Sequence, residues 1–338
     1  MKRKDFLALL PAAALINPLE AGARVEVAAK KVKIPPYLGP GDIIGITCPS
    51  GYISSEEIAP AVALMQQWGF RVKIGETVGA RDFTFGGTDQ QRIDDFQAML
   101  DDVSVKAIMC ARGGYGAVRI IDRINFKPYK AAPKWIIGFS DITIFHSHIN
   151  TNFGIATLHS KMCNSFPDSW DAADELQRDT ILSLKNALKG EQMRYSAPAH
   201  TANRYGEAEG VLIGGNLRCI ENLAGSVSEI DTSGKILFVE DTGEALYSID
   251  RMFCNLKRSG KLQKLKGLIV GGFKLKADDT PEEFGRTVSD IVLEKVSEYD
   301  YPVCFDFPVG HQKANYALKC GVKHQLIVQA QGSNLFEI

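Results

Sequence analysis

Several things are missing from the sequence. There is no run of Lys and Arg interleaved with aromatics, and 39 basic residues against 40 acidic ones leave a net charge of −1. A chain without a basic stripe has no means of tracking a phosphate backbone, which argues against nucleic acid as a partner. There is no CxxC pair and no Cys/His cluster at metal spacing, so the sequence implies neither a metal nor an organic cofactor. The seven cysteines (48, 110, 163, 219, 254, 304 and 320) are scattered and read mostly as buried small hydrophobes. Their odd number leaves at least one unpaired within a monomer. Nor does any stretch reach the roughly 20 consecutive apolar residues that a membrane-spanning helix needs. Internal repeats and low-complexity tracts are also absent.

What is present is a chain of 338 residues with 45% hydrophobic content, enough for a sizeable core and for two domains better than one. Its first residues, "MKRKDFLALLPAAALINPLEAGA", put Lys2, Arg3 and Lys4 ahead of an apolar stretch and end on small residues at Ala21–Ala23. That is the grammar of a signal peptide over residues 1–23, and it predicts a periplasmic or otherwise exported protein. An amphipathic or buried first helix, with a cytoplasmic protein, is the alternative.

From Gly41 onward short apolar runs alternate with helical patterns. "GDIIGITCPSG", "RVKIGE", "VKAIMCARGG" and "PKWIIGFSD" read as strands. "EEIAPAVALMQQWGF", "GGTDQQRIDDFQAML", "AVRIIDRI" and "ITIFHSHINTNFG" read as helices, the second with Thr88 and Gln91 in capping-box spacing. This alternation predicts an α/β fold: a Rossmann-like or flavodoxin-like parallel sheet over residues 36–165, with its loops gathered at the carboxyl ends of the strands. After a linker region with a helix at 166–204, Gly-rich and β-branched runs predict a smaller, strand-rich C-terminal domain over 205–338.

The most informative stretch is "CARGGYGAVRII", residues 110–121. As a dinucleotide fingerprint it fails, because Arg119 occupies the third glycine position of G-x-G-x-x-G. A Walker motif fails at Lys235, which is followed by Ile236 where Ser or Thr belongs. The stretch fits a nucleophile elbow better, a sharp strand-to-helix turn that exposes one side chain while the next backbone N–H helps to form an oxyanion hole. Gly113, Gly114 and Gly116 suit such a turn, yet the exposed position holds Ala117. A tight turn with no chemistry is the plain alternative. Nearby, Ser140 is a weak nucleophile candidate, since Ile142 stands where G-x-S-x-G wants glycine. Ser140 and Asp141 read better as a helix cap and as site architecture. Further on, Glu240 and Asp241 come straight off an apolar strand, and His311 sits on a glycine-flanked loop just after another. His146 and His148 fall in a helical pattern instead.

Taken together, "ARGGYGAVRII", "FVEDTGEALYSIDRMFCNL" and "PVGHQKANYALKCG" resemble the murein LD-carboxypeptidase family of serine peptidases, which also contains the microcin C self-immunity proteins. The likeness runs from about Pro36 to the C-terminus and takes in "GGTDQQRIDDFQAML", "PKWIIGFSDIT" and "VLIGGNL". It implies a Ser-His-Glu triad split between two domains, with the glutamate at Glu240, the histidine at His311 and the serine at position 117. Here that serine is Ala117, so the resemblance implies a chain that lacks its nucleophile. Val118 N–H would contribute to the oxyanion hole, with Gly87 as a second donor. Gly114, Tyr115, Ser140, Asp141 and Asn216 are the candidate substrate-binding residues. The implied substrate is a muropeptide, murein tetrapeptide losing its terminal D-alanine, with a homodimer as one open arrangement. An immunity-type peptidase or amidase and a non-catalytic muropeptide-binding pseudoenzyme are the alternatives. Retention of Glu240, His311 and the glycines favours an engineered replacement of serine over natural decay.

The N-terminal pattern makes a direct prediction: protein recovered from outside the cytoplasm should begin close to Arg24. N-terminal sequencing of native material checks it, and a full-length chain in the soluble cytoplasm would overturn export.

Overall fold

The apolar runs of the first half become five parallel strands: β1 (Ile43–Thr47), β2 (Arg71–Ile74), β3 (Val105–Cys110), β4 (Trp135–Gly138) and β5 (Thr157–His159). Their spatial order is β2-β1-β3-β4-β5, the flavodoxin-like arrangement. The computed structural model describes residues 32–277 and 280–338. The expected signal segment, residues 1–23, lies outside the described residues.

Helices cover both faces of this sheet, as the alternation predicts. α1 (Ser55–Gln67) starts at a capping box on Ser54, and α2 (Asp89–Asp101) at the one foreseen between Thr88 and Gln91. The expected helix at "AVRIIDRI" is shorter in the structure. α3 (Ala117–Ile120) gives way to a 3₁₀ turn at Ile121–Arg123, within a run whose β-branched Val118, Ile120 and Ile121 are stiff at χ1 and crowd an α-helical turn. α4 (Lys127–Ala131), α5 (Thr143–Phe153) and α6 (Glu175–Lys189) follow. Ile44, Ile46 and Leu158 pack one face of the sheet against Ile58 of α1 and Leu184 of α6. Ile108 and Ile136 pack the other face against Phe96 of α2 and Phe145 of α5, whose rings lie 4.6 Å apart.

The second half forms a seven-stranded sheet. Its members are β6 (Arg194–Pro198), β7 (Gly206–Asn216), β8 (Lys235–Glu244), β9 (Gly267–Leu275), β10 (Val303–Cys304), β12 (Lys323–Gln329) and β13 (Gly332–Glu337). β7 to β10 run parallel, while β12, β13 and β6 extend the sheet antiparallel beyond β7. α7 (Leu217–Asn222) and α8 (Leu246–Arg258) cover one face through Ile220, Ile249 and Phe253. The expected α/β class with a strand-rich second part is what the chain adopts.

The two sheets interlock. β11 (Leu318–Cys320) leaves the second half and pairs antiparallel with β5 at the edge of the first sheet. Between β5 and β8, the buried His159 ring stands edge-on to Phe238, centroids 5.1 Å apart. The linker is shared in the same way, with α6 in the core of the first sheet and β6 in the second sheet.

The capping box of α2 is open to a simple test. Thr88→Ala removes the hydroxyl that accepts the Gln91 N–H and should cost about 1 kcal/mol. Chemical denaturation, with the midpoint lowered and the slope unchanged, is the measurement; no loss of stability would mean the box is idle.

Candidate active site

In a flavodoxin-like sheet the strand order reverses between β1 and β3, and a crevice opens at the carboxyl ends of the strands there. β3 runs into the glycine turn, and the loop after β1 supplies Pro49, Ser50 and Gly51. The Gly51 N–H donates to Gly113 O at 2.9 Å, which stitches the two loops together. Gly116 has φ +139°, and a Cβ on it would stand 2.6 Å from an Arg92 guanidinium nitrogen. The turn therefore needs glycine for both conformation and space. Ala117, fully buried, opens α3 directly after it.

Asp141 fixes this turn. Its Oδ2 accepts the Ala117 N–H at 2.8 Å and the Ser50 hydroxyl at 2.6 Å. Burial pushes this carboxyl up from its ordinary pKa, while those donors pull the other way. The expected helix cap at Ser140 and Asp141 is corrected by the structure: neither the 3₁₀ turn Ser140–Ile142 nor α5 has a side-chain cap. Ser140 instead adopts φ +61°, a conformation that non-glycine residues seldom hold, and its Cβ lies 3.0 Å from where a Cβ on Gly113 would stand. From below, the fully buried Arg92 donates to Gly116 O at 2.9 Å and to Pro49 O at 2.5 Å and pairs with Asp89.

Of the proposed oxyanion donors, the N–H groups of Val118 and Gly87 have no hydrogen-bond partner among the described residues. That is the state in which a donor can receive a ligand oxygen, and Val118 is one of the orphan positions of a helix start. Gly114 adopts φ +99°, and Tyr115 is 53% exposed with its ring 5.8 Å from Phe85.

The second sheet contributes a carboxylate and an imidazole. Glu240 lies within β8, which continues past the expected strand end to Glu244; it is wholly buried, and its Oε2 meets His311 Nδ1 at 2.5 Å and the His311 N–H at 3.1 Å. A carboxylate can only accept, so Nδ1 carries the ring proton and Nε2 keeps the lone pair in the neutral ring. Gly310 allows the approach: at φ +102° a Cβ there would collide with Glu240 Cβ. The neighbouring Asp241 turns to other work, accepting from Asn216 Nδ2 and the Arg218 N–H, both at 2.9 Å. Asn216 thus caps α7 through Cys219, and its own N–H donates to Thr143 Oγ1. One loop, residues 139–141, serves both centres, because the Phe139 ring lies 5.0 Å from that of His311 while Asp141 holds Ala117.

Sequence reading missed several residues here. Asn315 Oδ1 accepts the Gly310 N–H at 2.8 Å, so its contact with His159 Nε2 at 2.9 Å makes that nitrogen a donor. Burial drives the His159 pKa down to about 3, which keeps the ring neutral. Asn315 stood inside the quoted "GHQKANY", so a search for polar residues near His311 could have found it. Arg92 and Ser50 gave no signal, since one looks like an ordinary helix charge and the other like a loop serine. Among the described residues no group of three or more His, Cys, Asp and Glu could hold a metal ion.

A glycine elbow at the switch point of a parallel sheet is thus joined through one loop to a buried carboxylate and its imidazole, the arrangement that the resemblance led one to expect of a hydrolase. The chain belongs to the LD-carboxypeptidase family of serine peptidases: residues 44–160 match the family's N-terminal domain and residues 209–326 its C-terminal domain. It is 31% identical over 291 residues to the "Probable murein peptide carboxypeptidase" of Bacillus subtilis (strain 168), covering 86% of this chain and 90% of that protein. It is 27% identical to the murein tetrapeptide carboxypeptidase of Pseudomonas aeruginosa, over 82% of this chain and 91% of the relative. The microcin C7 self-immunity protein MccF of Escherichia coli is 25% identical over 85% of this chain and 90% of its own. Among solved structures, muramoyltetrapeptide carboxypeptidase from Oxalobacter formigenes superposes with a TM-score of 0.78 at 26% identity, over 87% of this chain and 98% of that one.

Asp241 generates a prediction with a definite sign. Burial raises its pKa from 3.8 to about 6, so between those values the folded chain holds a proton that the unfolded chain has released. Its contribution to stability is then fullest below pH 3.8 and is lost as pH rises towards 6. Relative to the parent, Asp241→Asn should gain about 2–3 kcal/mol in stability between pH 4 and pH 7. Denaturation curves at both values test this, and a pH-independent difference would refute it.

Proposed function

We propose that this site is that of a serine-type LD-carboxypeptidase acting on murein tetrapeptide, and that the chain with Ala117 binds this substrate without turning it over. The 2.5 Å contact between Glu240 and His311 carries the reading, because an imidazole held by a buried carboxylate is of use to a nucleophile. The names of the Bacillus and Pseudomonas relatives support the substrate class. The identity to those two exceeds that to MccF, which favours a muropeptide over a peptide-nucleotide antibiotic.

With serine at position 117, His311 Nε2 takes the hydroxyl proton as the oxygen attacks the carbonyl between the L-centre of the diamino acid and the terminal D-alanine. The tetrahedral oxyanion is met by Val118 N–H, with Gly87 N–H as second donor, while Glu240 holds the imidazolium. His311 then returns the proton to the leaving amine and D-alanine departs. A water molecule, deprotonated by the same nitrogen, hydrolyses the acyl-enzyme. Alanine has no oxygen for the first step. The unspoiled surroundings of Ala117 support replacement of a serine over a decayed site, and the N-terminal pattern supports work outside the cytoplasm, on the cell wall.

Ala117→Ser should therefore release D-alanine from murein tetrapeptide, where the Ala117 chain stays at background. In that serine form, Glu240→Gln and His311→Ala should each lower turnover on the order of 10⁴-fold. A folded Ala117→Ser protein that binds tetrapeptide and frees no D-alanine would make the protein a pseudoenzyme; one that binds none would exclude the substrate.

A further inference from the structure

One charge close to the imidazole is Lys161, on the loop that leaves the carboxyl end of β5. Its Nζ donates to Gln312 O at 2.9 Å, the carbonyl next in chain to His311, and lies 5.8 Å from the centroid of the Phe139 ring that packs on His311. The next residue, Met162, reaches the elbow, with its Cε 3.2 Å from where a Cβ on Gly113 would stand. Lys161 is thus tied to both halves of the site.

No carboxylate among the described residues pairs with Lys161. This separates it from the other lysines of its neighbourhood, since Lys313 pairs with Asp174 and Lys319 with Glu337. Lys161 and Lys313 line a cavity of about 160 Å³ with Gln177 and Thr180 of α6, large enough for a carboxylate and a methyl group. Burial lowers the pKa of the Lys161 ammonium, and the Glu240 charge works against that shift. A partly desolvated ammonium with only one of its three donors engaged is an unusual thing to keep without a counter-ion.

Resting on the reading above, we infer that Lys161 is the recognition cation for the free terminal carboxylate of the substrate, the group that distinguishes a chain end from an internal peptide bond. The stereochemistry of the reaction supports the position. In the leaving D-alanine the carboxylate is one carbon away from the amine that His311 must protonate, so its partner belongs within a few bonds of the imidazole. Lys161 is anchored on the residue after His311, and Lys313 is already neutralised by Asp174. A site of this kind also excludes internal bonds, because an amide carries no charge to satisfy the ammonium.

Calorimetric titration of the Ala117 chain tests this without any turnover, using murein tetrapeptide and the same peptide with a C-terminal amide. The parent should prefer the acid by about 10- to 100-fold. Lys161→Gln should lose that preference by weakening acid binding and leave the amide within about threefold, while Lys161→Arg should retain part of it. Unchanged acid binding in Lys161→Gln would overturn the inference and spare the functional reading. A parent that binds both peptides equally would overturn it too, even were the glutamine variant unable to fold. A parent that binds neither would remove the functional reading and this inference together.

Discussion

One carboxylate holds the candidate site in shape. Asp141 Oδ2 takes the Ser50 hydroxyl from the loop after β1 and the Ala117 N–H from the turn after β3, and Asp141 itself stands on the loop after β4. Three strand ends at the switch point are thus fastened to a single oxygen. The geometry is costly to leave incomplete, because a carboxylate this deeply buried without its donors would be driven to take up a proton. Arg92 repeats the arrangement with opposite charge, tying Pro49 O to Gly116 O. The elbow is therefore set by an anion on one side and a cation on the other, and its glycines only permit what these two groups impose.

Much of this was legible in the sequence because it is local. Strand runs, the Thr88–Gln91 capping box and the glycine turn follow from residues adjacent in the chain, and so did the α/β class. Glu240 and His311 stood out for a related reason, as polar residues following apolar runs, although β8 continues through Glu240 to Glu244. The linking residues were another matter. Arg92 has the helical spacing of a solvent-facing charge and turns out wholly buried, and Ser140 looked like a cap because Ser-Asp before a helix usually is one. The contacts of Ser50 with Asp141 and of Arg92 with Pro49 and Gly116 depend on strand order, which periodicity does not encode. Lys161 failed to register for the same reason, since its significance lies in the carboxylates it does not meet.

The imidazole has its own supports. Behind Gly310, Asn315 bridges the loop of His311 to His159 on β5, while Gly310 leaves room for Glu240. A neutral buried histidine makes a dependable donor here, because it cannot acquire a charge in the working range of the protein. The imidazole is thereby oriented by residues of both sheets, and the elbow by residues of the first alone.

That asymmetry acquires a temporal meaning through β11. The elbow is complete in the first half of the chain, but the edge beside β5 closes only when Leu318–Cys320 has been made and delivered back to it. A nascent chain emerging from its N-terminus would hold the turn long before it held the imidazole. The connectivity thus places the imidazole and the strand that closes the first sheet late in the chain, after the elbow. The pairing that joins the two sheets is therefore also the one that must wait for nearly the whole chain to be made.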